Sequence, residues 1–498
     1  MMPPPLASTD RARQCFRLRF SGPPGVAFGI YWSSGLLLLS GTTYLFRNDF
    51  SAHFLGVFSL LLACAIAPTF TAYRWAPMYL LRIALLGTPC LLANVILLIK
   101  PGVFVAYHGQ RFQTAEITAA LTLLTTLGLA ASGITWGIGS SGQTRISPPR
   151  PCENFSIRYF IYAAIAVFAG AANAQSLGPL LWKASYASQT AESFLSLGVY
   201  PTIAMFGLIG MRVVILYARQ ATRFHTVLFW CISAYVLLFC MWFRGMRLEV
   251  CASLVVLYLL HVDAKAARIK VVRMGLLAAG LFLLAQVWGA YRAIADAGGS
   301  LIAATRVVMS SLGQNIAEVG TAIYHYGTAS DVAAVLFNTY GLIQEKSMSL
   351  MLGQTYLEWL PRTLPQFIYP DRPVSIAWIF PKFGETSGGG IFELAEAYAN
   401  FGAVGVILVP GIITFLLCRI YRASLTRRTT VTLFAYAAAV SMLPRGIWYQ
   451  NFALYKSALI WLILEAAILT LTAVHRTWIV PMLRSLKQGR LEPSSQSE

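Results

Sequence analysis

The sequence predicts an all-α polytopic integral membrane protein with about 12 transmembrane helices and one large extracytoplasmic loop. Hydrophobic residues make up 57% of the 498 residues and charged residues only 11%, whereas about 25% of the residues in a soluble globular domain are charged. Apolar stretches of about twenty residues recur, which is the length that crosses a hydrocarbon core of about 30 Å. One long polar interval separates the last three stretches from the others. A soluble globular enzyme is therefore excluded.

The candidate spans form one group before residue 291 and another after residue 394. They lie at about residues 25–46, 51–72, 78–99, 115–138, 157–176, 195–217, 225–243, 248–262, 272–290, 395–418, 430–446 and 452–474. The division that follows is an N-terminal transmembrane bundle at 1–290, a large periplasmic loop or cap at 291–394, C-terminal transmembrane helices at 395–476 and a cytoplasmic basic tail at 477–498.

The basic residues indicate the orientation of the chain. Lys and Arg number 38 against 19 Asp and Glu, for a net charge of +19. In a soluble chain this excess would suggest nucleic-acid binding, but here the cations occupy alternate connections between spans, such as Arg145, Arg150 and Arg158. Such connections lie in the cytoplasm by the positive-inside rule. We expect both termini in the cytoplasm, contact with membrane lipids and no nucleic-acid partner.

No sequence pattern indicates a cofactor, a metal or a disulfide. The eight cysteines include no CxxC pair and no metal-ligand spacing, and most lie in or beside apolar runs, where cysteine behaves as a small hydrophobe. There is no Walker loop, no dinucleotide fingerprint and no HExxH motif, so ATP hydrolysis, redox catalysis and zinc proteolysis have no support.

The candidate catalytic residues are Glu396, Glu393 and His325. Both glutamates follow a glycine-rich turn and open a span, in SGGGIFELAEAYANFGAVGV at Ser387 to Val406. Charge at the edge of a bilayer segment is costly unless it has a function, although acids are also favoured in the first turn of a solvated helix. We prefer Glu396 as a general base. His325 is the one histidine placed in the large loop, and a packing role for it stays open.

Five arginines are candidate ligands for a phosphate group, because the planar guanidinium holds phosphate oxygens in pairs. Arg244 and Arg247 lie in WFRGMRLE between two spans, Arg445 lies at the end of the eleventh span, and Arg362 and Arg372 flank a proline-rich stretch. The alternative is that these side chains extend to the membrane interface and contact lipid phosphate.

Aromatic and amide side chains near these charges are candidate glycan-binding groups. Tyr398 and Asn400 follow Glu396, and Tyr449 follows Arg445 beside Gln450 and Asn451. The apolar faces of sugar rings stack on aromatic side chains, but an ordinary interfacial aromatic belt has the same composition. Both interpretations stay open.

These motifs together resemble the bacterial O-antigen polymerase family, the Wzy-type oligosaccharide repeat unit polymerases. The resemblance rests on GGGIFELAEAYANFGAVGV, on FRGMRLE, on the PRTLP segment and on an arginine near the outer end of the penultimate span. It covers mainly residues 240–455. The architecture is also similar to that of GT-C-like polymerases and ligases.

The resemblance implies a reaction at the periplasmic face of the bacterial inner membrane. A growing glycan on polyprenyl pyrophosphate is transferred to a lipid-linked repeat unit, without a nucleotide cofactor. It implies that Arg244, Arg247 and Arg445 hold pyrophosphate, that Glu396 orients or deprotonates the acceptor hydroxyl, and that Asn400 belongs to the same site. The partners implied are polyprenyl-pyrophosphate-linked oligosaccharide, membrane lipids and a chain-length regulator protein.

Two other functions stay open. A lipid-linked O-antigen ligase has the same bundle with a large outer loop, although its histidine-bearing loop motif is not evident here. A flippase or transporter of lipid-linked oligosaccharide requires a central charged cavity, and broken mid-span helices or paired halves indicate one. The sequence shows neither a break nor a repeat, so we expect continuous spans.

Overall fold

The computed structural model describes residues 77–99, 114–140, 155–176, 199–218, 221–242, 246–264, 328–363 and 391–482, with six single residues between them. Within these residues the protein is all-helical and contains no strand. The helices are α1 Pro77–Ile99, α2 Thr114–Ser140, α3 Phe155–Ser176, α4 Val199–Tyr217, α5 Arg223–Ala234 with a π-helical continuation Tyr235–Met241, α6 Arg247–Ala264, α7 Thr328–Gln344, α8 Gln354–Leu357, α9 Trp359–Thr363, α10 Glu393–Arg427, α11 Thr430–Trp448, and α12 Phe452–Val474 with a π-helical continuation His475–Ile479.

Seven of the described helices, namely α2 to α5 and α10 to α12, are long and apolar enough to cross a membrane. Helices α1, α6 and α7 contain shorter apolar stretches. The protein is therefore a multi-pass all-α membrane protein, as its hydropathy predicts. The predicted spans at 25–46 and 51–72 lie outside the described residues, as does the span at 272–290 apart from Gly280, so the number twelve stays a prediction.

Hydrogen bonds between distant segments show which helix ends lie together. At one end, the N–H of Cys152 donates to the carbonyl of Tyr217, the N–H of Ser147 donates to Leu425, and the Arg158 guanidinium donates to Thr430. At the other end the N–H of Ile391 donates to the carbonyl of Tyr449. We call these the Arg428 end and the Tyr449 end. Helix α11 runs from the Arg428 end to the Tyr449 end.

Helix α10 is not one straight rod, because it folds back on itself near Gly402. The Nη2 atom of Arg82 lies 2.5 Å from the Glu393 carboxylate and 3.2 Å from the carbonyl of Pro410. In a straight helix these two residues would be about 25 Å apart along the axis. The half-helix Glu393–Phe401 and the following membrane-length half therefore form a hairpin whose turn lies toward the Tyr449 end.

The backbone at Gly402 makes this turn, with φ 62° and ψ −148°, a conformation that is essentially restricted to glycine. The turn frees carbonyl groups that a continuous helix would bind. Two of them, on Ala399 and Asn400, accept from the N–H groups of Met351 and Leu352, each at 3.0 Å. Broken helices are tolerated in membranes where neighbouring protein satisfies the backbone in this way. The expectation of a continuous tenth span is thus corrected.

Helix α7 brings part of the predicted outer segment into the bundle. Its residues Val332 to Phe337 are buried, and the helix packs against α1, α2 and α10. At its C-terminus the Gln344 amide donates to the Tyr398 hydroxyl at 3.1 Å. The next residues turn over the half-helix Glu393–Phe401 and cover it.

A buried ion pair joins α3 to α12 nearer the Arg428 end. The Arg158 guanidinium lies 2.7 Å from the Glu465 carboxylate, which also accepts from the Tyr162 hydroxyl at 2.8 Å. Arg158, counted above among the loop cations, is the fourth residue of α3 and is buried. These contacts tie helices together without a break in either one.

Candidate functional site

The half-helix Glu393–Phe401 begins with a carboxylate that is completely enclosed by an arginine. Glu393 and Arg82 are 0% and 1% exposed, and two guanidinium nitrogens approach the two carboxylate oxygens at 2.5 and 3.1 Å. Arg82 also donates to the Thr414 hydroxyl at 2.6 Å and to the Pro410 carbonyl. All the charge here is paired, as a buried ion pair requires.

Glu396 lies one turn later on the same half-helix and has a different environment. It is fully buried, but among the described residues no cation pairs with it. Its Oε1 accepts from the Thr355 hydroxyl at 3.0 Å, and its Oε2 accepts from the backbone N–H of Asn451 at 3.4 Å. The Trp359 indole and the Gln450 amide approach this carboxylate without completing a hydrogen bond.

The elements around Glu396 carry seven buried polar atoms that have no hydrogen-bond partner among the described residues. These atoms are the Tyr356 hydroxyl, Glu358 Oε2, Trp359 Nε1, Asn400 Oδ1, Gln450 Nε2, and Asn451 Nδ2 and Oδ1. Buried polar groups are nearly always bonded in native proteins, and each one left unpaired costs about 1–3 kcal/mol. Their concentration around one carboxylate indicates that water or a ligand completes the site.

The same segment presents aromatic rings and one arginine. Tyr356 lies edge-on to Trp359 at 5.0 Å between ring centroids and stacks on Phe401 at 6.1 Å. Burial and the neighbouring glutamates raise the pKa of the Tyr356 hydroxyl, which therefore stays a donor. Arg362 is buried, lies 4.7 Å over the Phe452 ring and donates to the Gln450 amide oxygen at 3.4 Å. Gln450 thus contacts Arg362 on one side and lies close to the Glu396 carboxylate on the other.

The unpaired atoms include both donors and acceptors. This mixture indicates which class of ligand can bind to them. A metal cation requires acceptors alone, and a phosphate group is held by donors. Hydroxyl groups donate and accept at once. The arrangement therefore fits an uncharged, hydroxyl-rich ring whose apolar face can lie against the aromatic side chains.

The predicted phosphate-binding arginines are brought together only in part. Arg445 lies 2.6 Å from Glu249 and is 29% exposed, and its carbonyl accepts from the N–H groups of Tyr449 and Gln450. Arg247 begins the helix that carries Glu249, so its backbone is at the same end, although its side chain is outside the described residues. Arg244, Arg372 and His325 also lie outside them.

The remaining predicted site residues line the half-helix or face it. The Asn400 amide donates to the Thr355 hydroxyl and to the Glu396 carbonyl, both at 2.7 Å. Tyr398 is buried against Tyr340 at 5.7 Å between ring centroids, on the side of α7. Tyr449 contributes its backbone carbonyl to Ile391. Of these three, Asn400 belongs to the polar group around Glu396.

Sequence reasoning missed Arg82 and Thr355. Arg82 had a signal, because an arginine inside the apolar run MYLLRIALL requires a buried partner. Thr355 had none, since it comes from a short polar segment 41 residues before Glu396, and only the tertiary structure brings the two together.

In the part of the chain that the structure describes, no group of three His, Cys, Asp or Glu residues could hold a metal ion. Comparisons with known proteins identify no relative: no protein-family model, no curated protein and no solved structure matches the chain.

Proposed function

We propose that this protein polymerises polyprenyl-pyrophosphate-linked oligosaccharide repeat units into a surface polysaccharide at the periplasmic face of the bacterial inner membrane. The observation that carries the proposal is the fully buried Glu396 carboxylate, held by neutral donors and surrounded by unpaired polar atoms and aromatic rings. A site of this composition suits a sugar ring with its hydroxyl groups. The sequence resemblance to Wzy-type polymerases supports the same assignment, with about 12 spans in a GT-C-like architecture.

In the proposed reaction an acceptor sugar hydroxyl attacks the anomeric carbon of the glycan on the donor lipid. A glycosidic C–O bond forms, and the bond between that carbon and the pyrophosphate oxygen breaks. Polyprenyl pyrophosphate leaves with the bonding electrons, and the hydroxyl proton passes to the Glu396 carboxylate as general base. Asn400, Gln450 and Asn451 orient the acceptor sugar.

Cations would stabilise the departing pyrophosphate. Arg362 contacts Gln450, and Arg445 lies one turn before it on α11. Both arginines are thus attached to the α11–α12 connection that also touches Glu396 through the Asn451 N–H. Arg244, Arg247 and Arg372 remain proposed contributors. Electrostatic stabilisation of a leaving group by such cations is commonly the largest catalytic contribution.

A transporter of lipid-linked oligosaccharide is the second candidate, and the break in α10 is the observation that favours it. Many secondary transporters bind substrates beside interrupted helices near the middle of the membrane. The ligand chemistry at Glu396 is the same in both functions. The two functions differ in whether a glycosidic bond forms. They also differ in the face of the membrane at which lipid-linked units accumulate when the protein is inactive.

The test uses cells whose own copy of the gene is deleted and replaced by wild-type protein or Glu396→Gln at matched protein levels. We expect wild type to restore a long polysaccharide ladder on a gel and Glu396→Gln to reduce polymer by about 100-fold or more, since a general base contributes 10²–10⁴-fold. Glu116→Gln is the matched control, because Glu116 is an exposed acid in the first turn of α2.

The accumulated intermediate separates the two functions. Without polymerase activity, single lipid-linked units collect on the periplasmic face, where an impermeant sugar-oxidising reagent reaches them in intact spheroplasts. Units protected until the membrane is opened would identify a transporter. A full ladder from Glu396→Gln cells would refute both assignments of this residue.

A further inference from the structure

Arg82 connects two parts of one helix that would otherwise be far apart. Its guanidinium binds Glu393 at the start of the half-helix and binds Pro410 and Thr414 in the membrane-length half. The half-helix carries Glu396 and Asn400 between this anchor and the Gly402 turn. We propose that Arg82 is a positioning residue, which holds the half-helix folded back and so fixes Glu396 against Thr355 and Asn451.

The geometry makes Arg82 specific for this role. A guanidinium has five N–H donors in a rigid fork, and here Nε, Nη1 and Nη2 all bind acceptors on α10. A lysine at this position could replace the charge but not the fork. Arg82 is itself held by α1, whose Leu85 carbonyl accepts from the Trp448 indole at 2.8 Å.

The effect on the site follows from the length of the half-helix. Glu396 lies three residues, about 4.5 Å, beyond Glu393 along the helix axis. A small rotation about the Gly402 turn after loss of the anchor would move the carboxylate relative to Thr355. A misplacement of 1 Å can lower a rate by about 100-fold.

A disulfide reporter measures the position of the half-helix directly. A Cβ atom at Gly128 of α2 would lie 2.6 Å from Leu394 Cδ2, and Leu394→Cys shortens that side chain to make room. In a background in which the eight native cysteines are replaced by alanine, we expect Gly128→Cys with Leu394→Cys to cross-link rapidly on mild oxidation.

The decisive variant is Arg82→Met with Glu393→Leu, since replacement of both members of a buried ion pair by apolar residues commonly preserves stability. We expect this variant to insert and fold, to cross-link several-fold more slowly, and to lose about 100-fold in polysaccharide. Arg158→Met with Glu465→Leu is the matched control, because it removes a different buried pair of the described residues, and its cross-linking rate should not change.

An unchanged cross-linking rate in the Arg82→Met, Glu393→Leu variant would overturn the proposal, and so would slow cross-linking with a full polysaccharide ladder. Only the polysaccharide readout rests on the proposed function. If wild type proves to make no glycan, the cross-linking rates still decide whether Arg82 holds the half-helix.

Discussion

Two buried carboxylates one helical turn apart have opposite electrostatic surroundings. Glu393 is enclosed by Arg82 and its charge is paired in full, whereas Glu396 has only neutral donors and unpaired polar neighbours. Both are 0% exposed, so burial does not distinguish them. Glu393 is therefore tied into the fold by its ion pair, whereas Glu396 lies among neutral groups and is the residue that we propose as the general base.

The largest expected effect on stability comes from Glu393→Gln. This change leaves the Arg82 charge buried without its partner, which costs about 3–5 kcal/mol. Glu396→Gln keeps the neutral donors around an oxygen of the same shape, and we expect it to change the free energy of unfolding by less than about 1 kcal/mol. Thermal unfolding of the purified variants in one detergent measures the contrast. Equal losses of stability from the two substitutions would contradict the distinction between a structural Glu393 and a proposed catalytic Glu396.

A smaller loss is expected from Gly402→Ala. The backbone at Gly402 has φ 62° and ψ −148°, and a side chain in such a region costs about 1–3 kcal/mol. The half-helix should shift as the strain relaxes, so polysaccharide should fall together with stability. Gly280→Ala is the control, because a Cβ atom there meets no described residue within 4 Å. Normal stability in Gly402→Ala would mean that the fold-back does not depend on this conformation.

The smallest effect on stability is expected from Trp359→Phe. This change removes a buried N–H group that has no partner among the described residues, so stability should stay the same or rise by about 1 kcal/mol. Polysaccharide should nevertheless fall several-fold, since the lost donor belongs to the proposed ligand site. Trp461→Phe removes an equally unpaired indole N–H from α12 and should leave the polysaccharide ladder unchanged. The same polysaccharide ladder from Trp359→Phe and Trp461→Phe would contradict a binding role for Trp359.

The sequence predicts where several of the described membrane helices lie, because each must present about twenty apolar residues to lipid. The predicted span at 452–474 has the bounds of α12, and the span at 430–446 begins at the first residue of α11. The fold-back of α10 escapes this reasoning, since Gly402 lies in a stretch of small and apolar residues that is typical of one continuous span. Hydropathy records length and composition, not a reversal of direction.

The sequence predicts only those residues of the candidate site that lie together in one motif. Glu396 and Asn400 stand out because their motif places polar groups at the start of an apolar run. Their partners come from elsewhere, since Thr355 lies on α8 and Asn451 follows α11. Such contacts depend on tertiary packing. The arginines show the same limit, because the pairing of Arg445 with Glu249 joins positions 196 residues apart.

The two hydrogen bonds from Met351 and Leu352 to the carbonyls of Ala399 and Asn400 have a consequence for access. If this cover lifted within a medium without water, two bare carbonyls would remain, each at a cost of several kcal/mol. Uncovering the half-helix therefore requires that incoming hydroxyl groups or solvent replace those donors. Binding of a hydroxyl-bearing ligand and displacement of the covering segment are therefore coupled. A hydrocarbon chain, which has no donors for the two carbonyl groups, could not displace that segment.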